Sequence, residues 1–176
     1  MPMSRGELKI TDLRAAVVAG APMTCPLIRI DTNQGIYGLG EVRDGASRTY
    51  ALMLKSRLLG ENPCDVDRLF RKIKQFGFHG RQGGGVSAVE MALWDLAGKF
   101  YGVPVYQLLG GKFRDRVRVY CDTEMAADPK VTAAKLTRRM AQGFTFLKMD
   151  LGIGLLERLP GMLTLPAGLS VRDVVQ

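Results

Sequence analysis

The sequence predicts an α+β region followed by the start of a domain in which strands and helices alternate. A β-hairpin is predicted where Leu27–Asp31 and Ile36–Glu41 flank the turn sequence TNQG. Apolar residues recur at helical spacing in segments 65–76 and 87–100. From Arg116 onward a strand, a helix and a second strand follow one another, which is typical of a parallel βαβ unit.

A third strand is predicted at Leu8–Val18, so the hairpin becomes part of an antiparallel meander. The run Gly35–Glu41, GIYGLGE, superficially resembles a phosphate-binding glycine loop. Such a loop needs its glycines after a parallel strand and at the start of a helix, whereas these lie in a hairpin. Close backbone packing is therefore the favoured explanation for these glycines.

Helices follow the hairpin. The first is predicted through Tyr50 and Leu58 and ends at Gly60. The second is amphipathic and carries apolar residues at Val66, Leu69, Phe70, Ile73 and Phe76. The glycine-rich loop after it contains the only histidine, His79. We favour an ordinary loop residue at His79 over an anion-binding or basic group, because no partner for it is visible.

A third helix, starting near Ser87, is apolar around most of its circumference. Its predicted stripe comprises Val89, Leu93, Leu96 and Phe100, with Ala88, Met91 and Ala92 at adjacent positions. Small residues in this helix allow a neighbouring backbone to come close. Ser87 is predicted to cap the start and Gly102 to end the helix. Asp95 and Lys99 lie one turn apart in the order that favours an ion pair.

The stretch from Ser87 to Gly111 contains the segments AVEMALWDLAGK and GVPVYQLLGG. It resembles the helix that leads from the capping domain into the barrel in the mandelate racemase and muconate-lactonizing branch of the enolase superfamily. A hairpin ending in G-x-G-E also recurs in that capping domain. The resemblance implies that residues 1–111 form an α+β capping domain, with a three-stranded antiparallel meander and a helical bundle. Residues 112–176 would begin a (β/α)8 TIM-type barrel and leave it truncated.

Composition narrows the functional classes. The net charge of +8 raises the possibility of nucleic-acid binding. The basic residues are scattered, however, and the run Arg68–Lys74 falls on the polar side of an amphipathic helix. An anionic small substrate fits the same charge equally well. We therefore expect no nucleic-acid partner.

No apolar run approaches the length of a membrane span, and the N-terminus lacks a charged region followed by an apolar core. We expect a cytoplasmic protein with no membrane partner. The cysteines, Cys25, Cys64 and Cys121, are widely spaced and lack a C-x-x-C pair. Neither a disulfide framework nor a zinc site is indicated.

The βαβ unit begins with a predicted strand at Val117–Cys121. Its helix has Asp128 as its cap, Ala133, Leu136 and Met140 on its inner face, and Gly143 as its stop. The second strand is predicted at Phe144–Asp150, and another helix from Val171. Lys148 and Asp150 are two residues apart near the end of that strand, so they point to the same face. Without a family context, the favoured interpretation is an exposed ion pair.

The resemblance assigns Lys148 and Asp150 a catalytic place. In the resembled enzymes the second barrel strand ends in K-x-K or a variant, and Lys148 matches the first lysine. Asp150 stands where the second lysine would be, which disfavours a two-base racemisation. Dehydration of a sugar acid is favoured, with Lys148 orienting and stabilising the substrate carboxylate. A racemase or epimerase, a cycloisomerase and a catalytically inert capping fragment remain alternatives.

The resemblance also implies Mg²⁺, which would neutralise the enediolate formed when the proton alpha to a carboxylate is removed. Its carboxylate ligands are expected beyond Gln176, so this chain is expected to be inactive alone. Nearby cations are predicted to lower the pKa of Lys148. The expected partners are a small carboxylate substrate, with a sugar acid favoured, and further copies of the full-length form in a homo-oligomer. Loops 20–24 and 43–48 would close over the substrate.

Overall fold

The computed structural model describes residues 7–21, 24–42, 48–77 and 85–150. The chain divides into two compact units, Met1–Phe113 (unit 1) and Arg114–Gln176 (unit 2). Several predicted features lie outside the described residues: His79, most of the two substrate-facing loops, and the helix from Val171.

Unit 1 contains a three-stranded sheet in the order β1-β2-β3, with both strand pairs antiparallel. The strands are β1 (Ile10–Ala16), β2 (Leu27–Thr32) and β3 (Tyr37–Glu41). Ile30 faces Leu13 on one side and Gly38 on the other. Alternate residues of β2 are buried, as expected for a sheet with one covered face. The predicted meander is confirmed.

Five helices belong to unit 1 within the described residues: α1 (Arg48–Met53), α2 (Lys55–Leu58), α3 (Val66–Ile73), α4 (Val86–Tyr101) and α5 (Val105–Leu108). A short 3-10 helix, Lys74–Gly77, extends α3. The amphipathic pattern of α3 is confirmed, because Val66, Leu69 and Ile73 enter the core. Phe70 and Phe76 are only partly buried against it.

Helix α4 lies across the covered face of the sheet, and two glycines of β3 let it come close. A Cβ atom added to Gly38 would overlap the Ala92 carbonyl oxygen, and one added to Gly40 would overlap that of Ala88. Backbone atoms of a helix cannot move aside as a flexible side chain can. Packing therefore explains Gly38 and Gly40 of the GIYGLGE run, as predicted, whereas Gly35 lies in the turn with a φ of 78° and open space around it.

The start of α4 differs from the prediction, whereas its end agrees. The N-cap is Gly85, with φ of 73°, and Ser87 is the second residue inside the helix. Val86 is fully buried, and this tertiary contact extends the helix beyond the serine. Gly102, with φ of 68°, ends the helix as predicted.

The predicted apolar face of α4 is largely confirmed. Val89, Leu93 and Leu96 are fully buried. Phe100 is only half-buried, and Met91 is 51% exposed, so the covered face is narrower than predicted.

Unit 2 contains two parallel strands, β4 (Cys121–Asp122) and β5 (Leu147–Lys148), connected through helix α6 (Pro129–Ala141). The predicted βαβ order is confirmed. Both strands are shorter than predicted, because the backbone bonds Cys121 N to Phe146 O and Thr123 N to Lys148 O, both 2.9 Å, enclose only these residues. For β4, the sequence prediction is wrong at both ends: it starts the strand at Val117 instead of Cys121 and ends it at Cys121 instead of Asp122.

Helix α6 begins as predicted, because the Asp128 side chain accepts a hydrogen bond from Lys130 N at 2.8 Å. Its predicted inner face is wrong at two positions: Ala133 is exposed and Met140 is 62% exposed. The buried residue is Thr132, whose Oγ1 accepts from Ala126 N at 3.0 Å. This polar contact joins the first turn of the helix to the preceding loop.

Within the described residues, no helix is long and apolar enough to cross a membrane. No disulfide bond joins Cys25, Cys64 or Cys121 within this part of the chain.

Candidate active site at the ends of β4 and β5

Lys148 is the last residue of β5, and its partner in the strand register is Asp122, the last residue of β4. Parallel neighbours end at the same edge of a sheet, so both side chains reach the same edge. Lys148 Nζ lies 3.0 Å from Asp122 Oδ2 and 2.9 Å from Asp150 Oδ2. We call Asp122, Lys148 and Asp150 the strand-end triad.

The contact between Lys148 and Asp150 agrees with the prediction that they share a face. Asp122 was missed, because the sequence prediction ended the first strand at Cys121. The sequence did contain one signal: Asp122 directly follows the predicted strand Val117–Cys121, and the next strand contains Lys148.

The two carboxylates determine the charge state of Lys148. Hydrogen bonds to Asp150 first, and then to Asp122, raise the pKa of the Lys148 ammonium above its ordinary value. The prediction that nearby cations lower the pKa of Lys148 is wrong for its described neighbours, because Asp122 and Asp150 are anions and raise it. At neutral pH Lys148 is a proton-holding cation and a hydrogen-bond donor, so it is poorly suited to remove a proton.

A depression of about 320 Å³ adjoins the triad. It is lined by Asp122, Thr123, Glu124, Met125 and Asp150. Thr123 is 3% exposed, and its Oγ1 has no hydrogen-bond partner within the described part of the chain. The carboxylate oxygens that line the depression can accept hydrogen bonds from hydroxyl groups of a ligand, and the Lys148 ammonium beside them can donate to a carboxylate.

The described residues do not fit Mg²⁺. No group of three histidine, cysteine, aspartate or glutamate side chains in ranges 7–21, 24–42, 48–77 and 85–150 is placed to hold a metal. Magnesium prefers oxygen ligands in octahedral geometry. Asp122 and Asp150 both contact the Lys148 ammonium, and Glu124 Oε2 lies 3.6 Å from Lys135 Nζ. Because the Lys148 ammonium already lies between Asp122 and Asp150, its positive charge repels a metal ion at the same place.

The basic run in α3 forms ion pairs. Arg68 Nη2 and Lys72 Nζ each lie 2.6 Å from a Glu61 carboxylate oxygen, and Arg71 Nε lies 2.9 Å from Asp67 Oδ2. This agrees with the predicted solvated helix face. The absence of a nucleic-acid partner stays a prediction.

The antiparallel sheet, the helix across it and the parallel βαβ unit are features of the enolase-superfamily class. The family model described as "Mandelate racemase / muconate lactonizing enzyme, N-terminal domain" matches residues 9–110. The chain belongs to this family, and the resemblance inferred from Ser87–Gly111 is confirmed.

Among known proteins, a D-xylonate dehydratase from Haloferax volcanii is 38% identical over 156 residues, covering 84% of this chain and 38% of the relative. A mandelate racemase/muconate lactonizing enzyme-like protein from Rubrobacter xylanophilus has 34% identity and a TM-score of 0.70 over 84% of this chain and 43% of its own. An enolase from Pantoea ananatis, solved with bound D-gluconate and Mg, has 28% identity and a TM-score of 0.69 over 81% of this chain and 36% of its own. The chain thus spans about 40% of the length of these proteins.

Proposed function

We propose that this chain serves the dehydration of a sugar acid, a lyase reaction, and that the Lys148 ammonium binds the substrate carboxylate. The observation that carries the proposal is the position of Lys148 at the shared end of two parallel strands, with its charge held by Asp122 and Asp150. Membership of the family and similarity to a D-xylonate dehydratase support the substrate class.

The chemistry explains the need for a fixed cation. Dehydration removes the proton alpha to the carboxylate and the hydroxyl group on the next carbon as water, and the resulting enol becomes a 2-keto-3-deoxy acid. Proton removal places negative charge on the carboxylate oxygens. This is the charge problem that enolase-superfamily sites are known to solve. A preorganised ammonium beside those oxygens stabilises the charge as it develops.

The raised pKa of Lys148 favours an electrostatic role over a base role. A two-base racemase needs a lysine that releases its proton readily, whereas here both carboxylate neighbours oppose that release. We therefore favour the dehydratase over the racemase, epimerase and cycloisomerase alternatives, and we assign the base to no residue of this chain. The Mg²⁺ that the family implies is likewise assigned to none of the described residues, and we expect no turnover from this chain by itself.

A second candidate is a catalytically inert module, in which the strand-end triad only joins two strands. The Lys148 side chain is 37% exposed and already has two carboxylate partners. Exposed ion pairs of this kind contribute little to stability and need no ligand to explain them.

Calorimetric titration with D-xylonate separates the two candidates, with D-xylose as a control ligand that lacks the carboxylate. The dehydratase proposal predicts that the chain binds D-xylonate in preference to D-xylose and that Lys148→Met removes this preference. Lys130→Met, in the exposed first turn of α6, is the matched control and should retain it. Equal affinity of the parent chain for acid and sugar, or a Lys148→Met variant that binds like the parent, would support the inert module.

A further inference from the structure

The two carboxylates of the strand-end triad are attached differently. Asp122 belongs to β4 and faces Lys148 in the strand register. The bond from Thr123 N to Lys148 O, 2.9 Å, fixes the backbone immediately after Asp122 against β5. Asp150 lies two residues after the end of β5, outside the ladder.

Exposure follows the same division. The Asp122 side chain is 57% exposed and that of Asp150 is 74% exposed. The Asp150 carboxylate is therefore already the more hydrated of the two, and moving it fully into water breaks fewer contacts with the protein than moving that of Asp122. The distances to Lys148 Nζ, 3.0 Å and 2.9 Å, do not distinguish the two.

The charge of the triad limits how it can bind an anion. One ammonium and two carboxylates give a net charge of −1, which repels an incoming carboxylate at short range. The Lys148 ammonium has a third N–H donor, but the negative charge of two carboxylates opposes an anion there, so a substrate carboxylate binds more favourably once one aspartate has left. Attachment and exposure both favour Asp150 as the one that leaves.

We propose that Asp122 is a positioning residue that holds the Lys148 ammonium at the strand ends, and that Asp150 is an exchangeable partner that a substrate carboxylate displaces. This inference rests on the proposed function for the identity of the ligand. The assignment of a permanent and an exchangeable carboxylate stands on the strand geometry. It gives the two neighbouring aspartates opposite effects on ligand binding.

The test compares Asp122→Asn with Asp150→Asn, which are isosteric and remove the same charge. Charge removal alone predicts tighter D-xylonate binding in both variants. The proposal predicts that Asp150→Asn binds about two- to fivefold more tightly than the parent chain, the range that corresponds to an exposed ion pair. It predicts that Asp122→Asn binds more weakly than the parent. Tighter binding in both variants would overturn it.

A second measurement does not depend on the ligand. NMR order parameters of the Lys148 NH3⁺ group report how firmly the ammonium is held. We expect Asp122→Asn to lower the order parameter markedly and Asp150→Asn to change it little, with unchanged circular dichroism as evidence that both variants fold. Equal changes in both variants would overturn the proposal. If the order parameters follow the prediction while the parent chain binds no carboxylate, the proposed function fails and the positioning role of Asp122 stands.

Discussion

Leu39 donates its backbone N–H to the Asp95 carboxylate of α4 at 2.9 Å. Lys99, one turn further along α4, contacts Asp95 Oδ2 at 2.6 Å and the Tyr37 carbonyl oxygen at 2.7 Å. β3 is at the edge of the sheet formed by the described strands, so these side chains bind backbone groups that another strand would otherwise pair with. The Asp95–Lys99 pair predicted from spacing thus also protects the sheet edge.

Asp95→Ala should therefore destabilise the chain by about 1–2 kcal/mol, because it leaves Leu39 N–H without its charged acceptor. Urea unfolding measures this difference. The control is Asp67→Ala, which removes an ion pair between side chains that are 76% and 70% exposed. That variant should lose about 0.5 kcal/mol or less. Equal losses in the two variants would contradict a role for Asp95 at the sheet edge.

Gly40→Ala should destabilise the chain by about 1–3 kcal/mol or more, because the added methyl group overlaps the Ala88 carbonyl oxygen. Thermal and urea unfolding give the size of the loss. Gly20→Ala is the comparison, because an added Cβ at that position meets open space. Its only expected loss comes from the left-handed backbone, with φ of 74°, and is roughly 1–2 kcal/mol. A Gly40→Ala chain as stable as the parent would mean that α4 does not pack closely on β3.

Acid should weaken unit 1 through Glu61. Hydrogen bonds from Lys72 first, and then from Arg68, hold the pKa of the Glu61 carboxyl below its ordinary value of 4.5. A folded-state pKa below the unfolded one contributes stability that is present above about pH 4.5 and is lost as the pH falls through the folded value.

The measurement is the urea midpoint of the parent chain and of Glu61→Gln at a series of pH values. We expect the parent to be more stable than the variant at neutral pH, by an amount that stays constant as long as the pH is above 4.5, the ordinary pKa of this carboxyl. Below that pH the difference in stability should shrink. An advantage that stays the same down to strongly acidic pH would show that Glu61 is not stabilised by its cationic neighbours.

Magnesium should leave the melting temperature of the chain unchanged, since the described residues offer no group of metal ligands. Differential scanning fluorimetry with MgCl₂, and with NaCl at equal ionic strength, measures this. A rise that depends on Mg²⁺ concentration and is absent with NaCl would mean that residues of this chain bind the ion.

Much of the fold was predictable because its signals are local. The TNQG turn predicted the hairpin, Gly102 predicted the end of α4, and Asp128 predicted the start of α6. The errors arose where distant residues decide. Burial of Val86 accompanies the start of α4 before Ser87, and in α6 the buried side chain is Thr132, which contacts Ala126, and not the predicted Ala133 or Met140.

In the candidate site, too, the local contact was predictable and the contact between distant residues was not. Lys148 and Asp150 are close in sequence, so their pairing was readable from strand alternation. Asp122 lies 26 residues from Lys148, and their pairing depends on the register of two parallel strands. Hydrophobic patterning does not define that register when each strand pairs over so short a stretch.

The most direct measurement is the NMR signal of the Lys148 Nζ group during titration with D-xylonate, assigned by its loss in Lys148→Met. If the Lys148 ammonium binds the carboxylate of a sugar acid, this signal shifts in a saturable manner while that of Lys130 stays in place, and D-xylose leaves both unchanged. A Lys148 signal that does not respond to D-xylonate, or responds equally to D-xylose, would contradict the account.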